Sequence, residues 1–67
     1  MAKGSTRNKI KIQAAEAFRN LEKAQTNFTG IAAFSDGRSV DIDTYLPEIM
    51  VTLEALIEAT SAFEERL

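Results

Sequence analysis

Ser35-Asp36-Gly37-Arg38-Ser39 lies near the middle of the 67-residue chain, and its reading decides the fold. Asp-Gly is a strong turn dipeptide, because glycine accepts positive φ at no steric cost. The segments on either side carry one pattern. Before the turn, apolar residues fall at Ile10, Ala14, Ala17, Leu21, Ala24, Phe28 and Ile31, in steps of 4, 3, 4, 3, 4, 3. After it they fall at Ile42, Leu46, Ile49, Leu53, Leu56, Phe63 and Leu67, with Thr60 in the one gap. Residues three and four apart share a face of an α-helix, so each stripe predicts an amphipathic helix.

Folding the chain back about Asp36-Gly37 sets the two stripes opposite each other. Ile10 meets Phe63, Ala14 meets Thr60, Ala17 meets Leu56, and Leu21 meets Leu53. Ala24 then meets Ile49, Phe28 meets Leu46, and Ile31 meets Ile42. The paired numbers sum to 73 or 74 throughout. Several layers oppose a small residue to a large one, which lets facing side chains interdigitate. The fold class expected is all-α: one antiparallel, coiled-coil-like helical hairpin spanning residues 1–67, with residues 1–8 a flexible basic N-terminus.

Two readings of the tip remain open. Gly30 can end the first helix as a left-handed C-terminal residue, and Asp41, Asp43 or Thr44 can start the second, with Pro47 in its first turn. Residues 31–42 would then form a short β-hairpin pairing Ile31 with Ile42 and Ala33 with Val40. Alternatively, the helices or irregular chain extend closer to the turn. The same register serves both.

A chain near 60 residues buries only about 60% of the surface its unfolded form exposes, and small folds need a staple. The sequence has no Cys and no His, which removes disulfides and a structural zinc site. Oligomerisation remains. Phe18, Phe34, Met50 and Ile57 fall outside the hairpin pairing, and a two-helix unit has no second layer to cover them. They are the candidate oligomer interface, in a homodimer or higher oligomer packed as a four-helix bundle.

The same counts remove much chemistry. Without His or Cys there is no Ser–His or Cys–His nucleophile pair. Glu54 and Glu58 read as a solvated acidic face. Asp36, Asp41, Asp43 and Glu48 offer hard oxygens, but Gly37 precedes most of them, which is the wrong order for a calcium loop. Gly30 and Gly37-Arg38-Ser39 do not have the spacing or the lysine of a phosphate loop. No metal, no cofactor and no enzymatic activity are expected. No stretch reaches the ~20 apolar residues of a membrane span, and nothing near Met1 reads as a secretory signal, so the expected location is cytoplasmic.

Net charge is −2, but it is unevenly placed. Residues 1–30 carry six basic and two acidic side chains, a balance of +4, and residues 31–67 carry two and eight, a balance of −6. The hairpin register brings Lys9 near Glu64 and Arg19 near Glu54, which lets the halves neutralise each other. The basic half can instead meet an outside anion, with Arg7, Lys9, Lys11 and Arg19 as candidate residues. The pI of about 5.0 and the lack of aromatic residues in the basic stretch argue against a dedicated nucleic-acid domain.

In architecture alone the chain resembles small helical-hairpin dimers, some of which bind RNA or act as adaptors. The leading expectation is a non-enzymatic helical binding or adaptor protein, acting as a homo-oligomer through a protein–protein interface. Its partners would be itself and another protein. The alternative is an anionic ligand (RNA, DNA or a nucleotide) held by the basic half.

Overall fold

The computed structural model describes residues 2–67, with side chains from residue 6 onward. Of the stretch 1–8 read as flexible, Met1 and the side chains of residues 2–5 lie outside the described residues. Two helices make up the fold: α1, Ala2–Ser35, and α2, Val40–Glu65. They pack against each other as an antiparallel hairpin.

The turn lies where the Asp-Gly dipeptide places it. Asp36 has φ 48° and Gly37 has φ 71°, so two successive left-handed residues reverse the chain. Asp is one of the few non-glycine residues that enters this region at modest cost. The Asp36 N–H still donates to the Ala32 carbonyl at 3.2 Å, and the Arg38 N–H donates to the Ser35 carbonyl at 3.0 Å. These bonds occupy carbonyls that a helix end leaves without partners.

Neither strand of the alternative tip forms. Residues 31–35 continue α1 through Gly30, and residues 40–42 open α2. Adding a residue to an existing helix gains one hydrogen bond per residue fixed, whereas an isolated two-stranded hairpin is marginal in water. Gly30 therefore stays inside the helix, at the modest propensity cost of glycine. The start of α2 also differs from expectation. Its N-cap is Ser39, in extended conformation, whose side-chain oxygen accepts from the Ile42 N–H at 3.3 Å. Asp41 and Asp43 instead occupy the first turn, where negative charge complements the helix dipole.

Starting α2 at Val40 carries Pro47 beyond the first turn, into the helix interior. A proline there has no N–H for the Asp43 carbonyl four residues back. The helix nonetheless runs unbroken to Glu65.

The molecule is a rod of 56 × 16 × 14 Å. Its radius of gyration is 16.1 Å, against about 11 Å for a compact domain of this length. It exposes 5458 Å², where a compact monomer of 7.4 kDa would expose about 4,200 Å². Among the described residues only Ala14 and Leu53 are buried, each at 7% exposure. Around them Phe18, Leu21, Phe28, Leu46, Met50 and Ile57 are half-buried. Two helices touch along one line, so one line is what they cover.

The register predicted from the sequence agrees with how the helices sit. Ile10, Ala14 and Phe63 line one groove at the open end of the hairpin. Phe28, Ile31, Ile42 and Leu46 line another near the turn. The expected seam nevertheless divides into two layers. Ala14, Leu21, Phe28, Leu46 and Leu53 lie inward, while Ile10, Ala17, Ile31, Ile49, Leu56 and Phe63 are exposed.

Candidate functional site: an open apolar face

The exposed layer forms a stripe of its own. On α2, Tyr45, Ile49, Thr52, Leu56, Ala59 and Phe63 follow one another in steps of 4, 3, 4, 3, 4. This is the same helical period as the buried line, turned around the helix axis to its flank. Tyr45 is 62% exposed, Leu56 48% and Phe63 55%. On α1 the flank facing the same way carries Ile10, Ala17, Ala24 and Ile31, one residue every seven. Between Ile10 and Ile31 the face runs about 32 Å, at 1.5 Å per residue.

The one threonine within this face is already partnered. Thr52 Oγ1 donates to the Glu48 carbonyl at 2.9 Å, so covering Thr52 would strand no hydroxyl. Glu48 borders the stripe beside Tyr45 and Ile49, and Lys9 borders it beside Ile10 and Phe63. An apolar strip edged by charged residues is the form that interaction surfaces take.

The residues singled out from the sequence fall elsewhere. Phe18, Met50 and Ile57 are half-buried beside the line where the helices meet. Phe34, near the end of α1, is 92% exposed. The periodicity reading assigned Ile49, Leu56 and Phe63 to the intrachain seam and thus missed them as surface. The signal was present: α2 carries apolar residues over an arc too wide for a single partner helix.

The four cations Arg7, Lys9, Lys11 and Arg19 are not gathered at one place. At about 100° per residue, Arg7 and Lys11 lie about 40° apart around α1, and Lys9 lies about 160° from both. Arg19 is about 18 Å farther along the axis than Arg7. Arg7 Nη2 donates to the Leu67 carbonyl oxygen at 3.1 Å, joining the two ends of the hairpin. Arg19 Nη1 lies 3.9 Å from Glu16 Oε1 on its own helix, with both side chains exposed. The ion pair Arg19 makes is thus within α1 and not with Glu54. Exposed pairs of this kind contribute about 0–1 kcal/mol.

Among the described residues, no group of three or more Asp, Glu, His or Cys side chains converges as a metal site would require. Nor is any helix among them long and apolar enough to cross a membrane. No protein-family model, no curated protein and no solved structure matches the chain.

Proposed function

We propose that the chain is a non-enzymatic helical binding protein that acts as a homo-oligomer through a protein–protein interface. The observation that supports this is the open face of Ile10, Ile31, Tyr45, Ile49, Leu56 and Phe63, all of them more than a third exposed in the single hairpin. A two-helix rod with two buried side chains among the described residues has too little core to be stable alone, and a second layer of helices supplies the rest. The alternative, anion binding through Arg7, Lys9, Lys11 and Arg19, has less to draw on, because Lys9 lies across α1 from Arg7 and Lys11, and Arg19 lies about 18 Å along the axis from Arg7. Sedimentation equilibrium from micromolar to millimolar concentration tests the proposal. The expected result is a mass that is a multiple of 7.4 kDa. A folded species that stays at the single-chain mass at every concentration overturns it.

A further inference from the structure

We propose that a second copy of the chain covers the open face, and that it docks with both turns at the same end, so that α1 of each copy lies over α2 of the other. The inference rests on the oligomeric reading above and adds the partner's orientation.

The area fits a second copy. The chain exposes about 1,250 Å² more than a compact monomer of its mass would. A stable interface removes about 800 Å² from each partner, so the surplus is sufficient. The face is also built to meet itself. The middle of the α1 flank carries the small residues Ala17 and Ala24, level with the bulky Leu56 and Ile49 of α2 in the hairpin register. With both turns at one end, the Leu56 and Ile49 of one copy stand over the Ala17 and Ala24 of the other. Reversing one copy would set alanine over alanine and bulk over bulk, giving uneven helix spacing.

Charge selects between the two orientations. The α1 helix carries Lys3, Arg7, Lys9, Lys11, Arg19 and Lys23 against Glu16 and Glu22, a net of +4. The α2 helix carries Asp41, Asp43, Glu48, Glu54, Glu58, Glu64 and Glu65 and no basic residue, a net of −7. Turns at the same end place each α1 over an α2, plus against minus. Turns at opposite ends place α2 over α2, two helices of net −7 side by side, with Asp41 and Glu48 of each within about 60° of the open face. The net charges of the helices thus favour the arrangement that sets +4 beside −7 over the one that sets −7 beside −7.

Spin labelling tests the orientation. The chain has no cysteine, so Arg38→Cys places a single label in the exposed turn. Double electron–electron resonance on the dimer should give a label separation below roughly 30 Å, since packed helices lie 8–10 Å apart. It should not approach the 56 Å length of the rod. Salt provides a second reading: the dimer should weaken from 0.1 to about 1 M, where the screening length falls from about 10 Å to about 3 Å. A dimer with its labels near 56 Å apart, or one that tightens with salt, overturns the orientation and leaves the oligomeric reading standing. A chain that remains single at every concentration overturns both.

Discussion

Gly37 and Ser39 show how single residues hold the reversal. Gly37 has φ 71°, and a Cβ added there would meet nothing within 4 Å, so the cost of a side chain is conformational and not steric crowding by neighbours. Gly37→Ala should lower the unfolding free energy by about 1–2 kcal/mol, the cost of placing an L-residue in the left-handed region. Ser39→Ala removes the acceptor of the Ile42 N–H and should cost about 1 kcal/mol. Urea denaturation of the two variants beside the parent chain, at one fixed protein concentration, measures both. An unchanged midpoint for Gly37→Ala would mean the turn does not hold its left-handed geometry in solution. The threonines show a different local solution. Thr26, Thr29 and Thr52 each donate to the carbonyl four residues back, which satisfies a hydroxyl in the middle of a helix. Ser35 has no such partner: its Oγ is buried without a hydrogen bond at the last turn of α1.

At the scale of the element, the two helices are not equally well formed. The α1 helix spans 34 residues with glycines at positions 4 and 30 but no proline. The α2 helix contains Pro47, which breaks the hydrogen-bond ladder to Asp43. A proline in a helix interior costs about 3 kcal/mol relative to alanine. Pro47→Ala should therefore raise the unfolding free energy by about 1–3 kcal/mol, the lower end applying if the helix already accommodates the ring by bending. Amide hydrogen exchange gives a finer reading. Protection over Asp43–Val51 should rise in the variant, and a fall there would show that the proline contributes packing the helix needs. The length of α1 past Gly30 follows the same physics. Once a long helix exists, one glycine does not stop it, and only the left-handed pair Asp36-Gly37 does.

At the scale of the whole molecule, the outward rows of the rod carry the proposed activity. Leu56 is 48% exposed on the apolar face, and Val51 is 69% exposed about 140° farther around α2. Leu56→Gln should raise the dimer dissociation constant at least tenfold, since burying a leucine contributes about 1.5–3 kcal/mol and each dimer buries two. Val51→Gln should leave it within about twofold. Sedimentation of both variants measures this, and equal effects would place the interface elsewhere. This scale is also where sequence reading ran short. Ile10 and Phe63 line one groove as the register requires, and so do Ile31 and Ile42. The same reading put Leu56 inside and Ile57 outside, whereas Ile57 is half-buried and Leu56 exposed. The two are about 100° apart on the helix, within the width of one apolar arc. Periodicity locates the centre of such an arc but does not say which edge a single neighbour covers.

The sequence by itself determined the helical period, the position of the reversal and the pairing of the two halves. These follow from steps of three and four and from a dipeptide that accepts left-handed backbone, and both are local properties of the chain. Only the tertiary structure decided which flank of each apolar arc faces the other helix and which stays open. That choice depends on how two cylinders roll against each other along one line of contact, which buries Ala14 and Leu53 and leaves Ile49, Leu56 and Phe63 on the surface.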